Sequence, residues 1–180
     1  MNTRPVLLAL AALMLSSCSA MDWSAREIDE EANMALKQFK REVRGGDTFL
    51  RKSAGYLVFP RVIKAGALVG AETGEGVLRV DGRSVGYYRT TSGSVGFQLG
   101  AQAKSIVLAF MTKSALDQFR KSKGWKVGID GSVALIDIGA GKTIDSDNLR
   151  DPVIGFVFGS KGLMYNLTLE GSKISRLDKK

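Results

Sequence analysis

Histidine is absent from the 180 residues, and cysteine occurs once. Without histidine there is no Ser-His-Asp or Cys-His pair, and a lone cysteine allows neither a structural zinc cluster nor an intramolecular disulfide. Proline is scarce as well, three residues in all, which argues against Pro-rich linkers and recognition tails. These absences remove most familiar catalytic constellations, so the chain reads as non-enzymatic, without cofactor or metal, in a binding or structural role. What is present belongs to a folded chain. At 44% hydrophobic and 24% charged it can bury a core, and its length suits one domain. Glycine is abundant, 21 residues without a G-X-Y repeat, which fits tight turns and sharply bent strands.

The N-terminus reads as a removable signal over residues 1–17. Arg4 supplies a positive n-region, and residues 6–15 form an apolar h-region too short for a bilayer span of roughly 20 residues. Leu15-Ser16-Ser17-Cys18 follows and resembles the bacterial lipobox. That resemblance implies cleavage before Cys18, its acylation with fatty chains such as palmitate, and a lipidated tether over residues 18–22. Several acyl chains anchor stably where one is marginal. Ser19, rather than Asp, follows the cysteine, which implies an outer-membrane lipoprotein facing the periplasm. Loss of Arg4 lowers the formal charge from +8 to +7, a balance that favours an anionic partner or simple solubility.

Residues 23–180 form the expected domain. Ser24 and Glu27 make a capping box, with Trp23 and Ile28 at the positions of a hydrophobic staple. Ile28, Leu36, Phe39 and Val43 then recur on one face, so this amphipathic helix presents either a core face or a membrane face, the core being favoured. Acids lead it, bases trail it, and Gly45-Gly46 ends it. Asp47 is expected to cap a short second helix. Strands are expected at 56–59, 63–72, 77–80, 84–90, 94–102 and 105–111, with Asp81-Gly82 as a hairpin turn. A third helix capped by Thr112 or Ser114 follows, then strands at 125–137, 153–159, 163–170 and 172–177. The absence of βα alternation gives an α+β class: an N-terminal helix, a strongly bent antiparallel, barrel-like sheet, and one or two further short helices.

Motifs that resemble catalytic or ligand sites are incomplete. Gly139-Ala140-Gly141-Lys142-Thr143 lacks the leading glycine of a P-loop, Ile136 standing there. Asp145, Asp147 and Asp151 lack the Gly and Glu of a calcium loop. Ser92-Gly93-Ser94-Val95-Gly96 is one glycine short of a nucleophile elbow and has no base. Glu72 and Glu75 would face opposite sides of a strand. The cluster Arg120, Lys121, Lys123 and Lys126 is the best functional patch. Bases at a helix C-terminus suit the dipole, and they also suit anionic lipid headgroups. Trp125 among them fits either an interface or a buried strand start. The export signal disfavours nucleic acid.

Four stretches carry a family resemblance: Phe59-Pro60-Arg61-Val62-Ile63-Lys64-Ala65-Gly66 running into Gly74-Glu75-Gly76-Val77-Leu78; Gln98-Leu99-Gly100-Ala101-Gln102; Trp125-Lys126-Val127-Gly128 with Ser132-Val133-Ala134; and Asp151-Pro152-Val153-Ile154-Gly155-Phe156 with Gly162-Leu163-Met164 and Leu169-Glu170-Gly171. In this order, over about residues 24–177, they resemble the SYLF domain family, related to yeast actin-patch proteins. The resemblance implies a lipid-binding module with an amphipathic N-terminal segment, here residues 24–44. The expectation is a lipid-anchored envelope protein binding anionic phospholipid, cardiolipin or phosphatidylglycerol. The alternative is a structural or protein-interaction module with the lipid only as tether. Actin bundling does not transfer to a bacterial envelope.

Overall fold

The computed structural model describes residues 22–66, 69–95, 100–137, 151–161, 169 and 171–179. Within them lie three helices and eight strands. In chain order they are α1 (Ala25–Glu42), α2 (Gly46–Lys52), β1 (Gly55–Gly66), β2 (Val69–Val80), β3 (Arg83–Val95), β4 (Gly100–Phe110), α3 (Lys113–Lys121), β5 (Trp125–Lys126), β6 (Ala134–Asp137), β7 (Val153–Lys161) and β8 (Lys173–Leu177). The strands form one sheet in the order β5-β8-β3-β2-β1-β4-β7-β6, curled into a half-barrel. The class is α+β, as expected. Pairing is antiparallel except between β6 and β7, which run parallel, so the sheet is mixed at that edge.

The hairpins are longer than the sequence pattern indicates. The expected strand at 63–72 instead contains the end of β1 and the start of β2, with Gly66 opposite Gly70. That run has no Asp-Gly to mark its turn, whereas Asp81-Gly82 does, and there both residues take positive φ, 51° and 75°. The expected strand at 125–137 likewise divides into β5, a turn and β6. Asp47 does not cap α2. Gly45, at φ 78°, precedes the helix with no side-chain cap, while Asp47 pairs with Lys40 and Arg51.

Strand alternation sorts the apolar side chains onto two faces. Val58, Val77, Val107, Ile154, Phe156 and Phe158 meet α1 and α2 on one face. The other face carries Leu57, Phe59, Leu78, Ile106, Leu108, Phe110 and Val157, covered by α3. Ile28, Leu36, Phe39 and Val43 are all buried, so the apolar stripe of α1 packs on its own sheet. Phe39 makes an edge contact with Phe156 at 5.1 Å between centroids and lies 5.5 Å from Phe158. Ser24 starts α1 as its sequence dictates: its N–H donates to Glu27 Oε2 (2.8 Å), and its Oγ accepts from the Glu27 N–H (3.3 Å).

A bulge at Phe59-Pro60 explains one of the family-like stretches. Val58 faces Val77 and Arg61 faces Glu75, so β1 takes three steps where β2 takes two. The same slip occurs against β4, between the Phe59–Ile106 and Val62–Lys104 pairs. Pro60 has no N–H to give a central ladder, and the bulge takes it out of register. Its carbonyl accepts from Ser105 Oγ at 2.8 Å. Glycines on β2 make room: a Cβ at Gly76 would lie 2.3 Å from the Val58 carbonyl oxygen, and one at Gly74 would lie 2.6 Å from that of Arg61.

Candidate functional site

The bulge leaves Glu75 between two glycines, facing α1, with 1% exposure. Its carboxylate accepts from the Trp23 N–H (3.1 Å) and Arg89, and pairs with Lys179 Nζ (3.2 Å). Lys179 also reaches Asp22 Oδ1 at 2.6 Å, and Arg61 lies over the Trp23 ring at 5.7 Å. One buried carboxylate thus ties the start of the described chain to its far end. Burial pushes the Lys179 amine down, but hydrogen bonds and charge from Asp22 and Glu75 outweigh this and leave it raised. Such a buried pair fixes register and position more than it adds stability. Glu72, on the opposite face, pairs with Lys104 at 2.8 Å. The two glutamates therefore do not share a site.

Along α1 the same pattern continues. Asp29 accepts from Ser84 Oγ (2.6 Å), Tyr87 Oη (2.7 Å) and Arg79 (3.2 Å). Burial raises the Asp29 carboxyl, yet these three donors hold it below the usual carboxylate range. Tyr87 is pushed up to about 12, first by burial and then by the Asp29 carboxylate it serves.

A different arrangement surrounds α3. Thr112 Oγ1 accepts from the Ala115 N–H (3.1 Å), which makes Thr112 the cap. Leu116 and Phe119 are buried, with Phe119 4.8 Å from Phe110, 4.9 Å from Tyr88 and 5.7 Å from Trp125. Trp125 itself is 3% exposed and belongs to the core. Arg120, Lys121, Lys123 and Lys126 are all exposed and follow one another around the end of α3 into β5. Because β5 pairs with β8, Lys126 stands directly opposite Lys173. The Lys173 side chain lies across Gly124, where a Cβ would approach its Cε to 2.7 Å. Arg176 joins from the α3 side. Burial raises the Tyr88 hydroxyl, and the charges of Arg176 and Arg120 pull it back.

Six exposed bases therefore wrap one edge of the sheet. None of them enters an ion pair among the described residues. Like charges placed opposite each other on paired strands repel. A short, lysine-flanked edge strand also discourages further strand pairing. Lys173 and Arg176 escape sequence reading because the pairing that brings them here spans about fifty positions of chain.

A groove of about 680 Å³ opens between α1 and the sheet past the bulge. Ala35, Ile63, Ala103 and half-exposed Met34 give it apolar lining, and Glu31, Arg41 and Arg61 give it charges of both signs. No sequence signal marked it, because helix and strand meet there only through the fold. Cys18 and the motifs at 139–143 and 145–147 lie outside the described residues. No described helix is long and apolar enough to cross a membrane, and no described cluster of acidic or thiol side chains is arranged to hold a metal ion.

Residues 91–180 match the family model described as Ysc84: Las17-binding protein actin regulator. Among curated proteins none matches the chain. The matched half runs from the end of β3 through β8 and includes the whole cationic edge. Because the match covers half of the 180 residues, the chain belongs to the Ysc84, or SYLF, family.

Proposed function

We propose that the chain is a non-catalytic adhesion module of the bacterial envelope, acylated at Cys18 and binding anionic phospholipid. The observation that carries this reading is the edge of six exposed bases with no acidic partner among the described residues. Cations near an anionic leaflet gain about 1 kcal/mol each, so each base removed weakens binding about fivefold. The lipobox-like Leu15-Ser16-Ser17-Cys18 supports the tether, and the residue after Cys18 supports an outer-membrane site facing the periplasm. Cardiolipin and phosphatidylglycerol are the lipids of matching charge.

Flotation with phosphatidylglycerol-containing vesicles tests the reading, using the chain from Ser19 onward so that neither an acyl anchor nor the apolar 6–15 segment contributes. Binding that weakens with added salt and is lost when Arg120, Lys121, Lys123 and Lys126 are reversed to Glu supports it. No binding at any salt concentration removes it. The family's description names protein partners, which favours a second reading in which the same domain grips protein and the lipid only tethers. There the reversed variant floats as before and loses a pull-down partner instead.

A further inference from the structure

The turn at 127–131 places an apolar side chain where the fold gains nothing from it. Ile129 is 75% exposed, above Met34 at 55% and Val85 at 38%. A single exposed isoleucine is ordinary on a protein surface. This one sits on a turn built to hold it. The Val127 N–H donates to the Ser172 carbonyl (3.0 Å), Gly128 N–H to Gly131 (2.9 Å), and Ile129 and Asp130 N–H groups to Lys126 (3.2 and 2.9 Å). The Asp130 carboxylate accepts from the Lys126 N–H at 2.6 Å, which closes the turn from the other side. Gly128 takes φ 86°, and Gly131 lies so close to Trp125 that a Cβ would meet its Cζ2 at 2.8 Å. Val127 and Trp125 beneath are buried. The conformation is therefore set before any partner arrives, and little ordering cost remains for binding.

Around the base of this turn stand Lys123, Lys126 and Lys173, all exposed, with Lys126 and Lys173 directly opposite each other. An apolar tip above a collar of ammonium groups complements a layered target: hydrocarbon within, phosphate outside. An anionic leaflet has that order.

We propose that the 127–131 turn is a membrane-insertion tip, with Ile129 entering the acyl layer of an anionic leaflet while Lys123, Lys126 and Lys173 engage its phosphates. This rests on the lipid-binding reading and deepens it by naming what penetrates. Removing an apolar side chain of this size from the lipid weakens binding roughly tenfold.

The test uses the chain from Ser19 onward, without the apolar 6–15 segment and Cys18, with vesicles of phosphatidylcholine and phosphatidylglycerol, against pure phosphatidylcholine. Ile129→Ser is expected to weaken flotation about tenfold with an unchanged melting temperature, and Ile129→Leu to retain it. In the same background Ile129→Cys supplies the only thiol. An environment-sensitive fluorophore on it is expected to shift to the blue on anionic vesicles and escape an aqueous quencher. If the parent chain floats while Ile129→Ser floats equally well, or while the label stays open to quencher, the tip is not inserted. The cationic reading then survives alone. If the parent chain does not bind anionic vesicles, the reading and the tip fall together.

Discussion

Where α1 meets the sheet and α2 the cations are matched to carboxylates, Arg79 to Asp29, Arg89 and Lys179 to Glu75, and Lys40 and Arg51 to Asp47, while Lys37, Arg41 and Arg44 on its outer side enter no ion pair among the described residues. Around α3, β5 and β8 the described cations have no such partners, although Asp117 lies on α3 and Asp130 on the turn after β5. The first region uses charge to position a helix on a sheet. The second holds charge facing solvent at an edge. The difference assigns their roles, because a cation already bonded to a buried carboxylate has little left to offer a headgroup, while an unpartnered exposed one has all of its field within a Debye length, about 10 Å at 0.1 M salt. Substitutions on the α1 side should therefore register as lost stability, and those on the β5 edge as lost binding.

The largest effect is expected at Gly76. An added Cβ would meet backbone, the Val58 carbonyl at 2.3 Å, rather than a side chain able to swing aside. Gly76→Ala should then cost about 3 kcal/mol, at the upper end of overpacking effects, read as a lower denaturation midpoint. Glu75→Gln is expected to follow at about 2 kcal/mol, because it removes the charge that Lys179 and Arg89 share, although Arg89 is partly exposed and Lys179 keeps Asp22. Both variants should bind anionic vesicles as the parent does wherever they remain folded. Loss of binding at equal foldedness would dissolve the division between the two regions.

The edge should behave in the opposite sense. Lys126→Glu and Lys173→Glu lie on exposed positions, so stability is expected to stay within about 0.5 kcal/mol. Vesicle affinity should fall at least fivefold for each, and the salt dependence should become shallower. The two lysines are also coupled to each other. Because Lys126 and Lys173 face each other, reversing one creates a cross-strand ion pair, and reversing both restores repulsion. A thermal-melt double-mutant cycle is expected to show each single variant slightly stabilised and the double variant back near the parent, while lipid affinity falls with each reversal.

Local features were the ones legible in the chain. The Ser24–Glu27 box, the Thr112 cap and the Asp81-Gly82 turn each act within four residues, and each stands where the sequence puts it. The basic run from Arg120 to Lys126 was legible for the same reason. Features assembled over distance were not. Glu75 gives no hint of its partners, since Trp23 and Lys179 lie 52 residues before it and near the end of the chain. The Pro60 bulge needs β2 and β4 on either side before the flanking glycines make sense. The end of β1 and the start of β2 read as one strand because no Asp-Gly stands between Gly66 and Gly70, and the parallel β6–β7 pair joins segments far apart in the chain rather than following local sequence.

The smallest effect is a matter of pH, and it separates the two regions without touching lipid. Asp29 has a depressed carboxyl in the fold, so its contribution is present above the unfolded value, near 3.8, and is lost as pH falls through the lower folded value. Tyr87 is shifted the other way: with its hydroxyl raised to about 12, its contribution is full below the unfolded value near 10 and disappears as pH climbs toward 12. Asp29→Asn should cost about 1–2 kcal/mol at neutral pH, and the gap to the parent should close in acid. Tyr87→Phe should cost about 1 kcal/mol, with its gap closing instead in alkali. Both residues meet in one hydrogen bond of 2.7 Å, so the two losses should not add. Fully additive losses, or gaps that stay constant at both ends of the pH range, would mean that α1 is held by its apolar stripe alone, and the contrast between a charge-positioned helix and a charge-presenting edge would lose its first half.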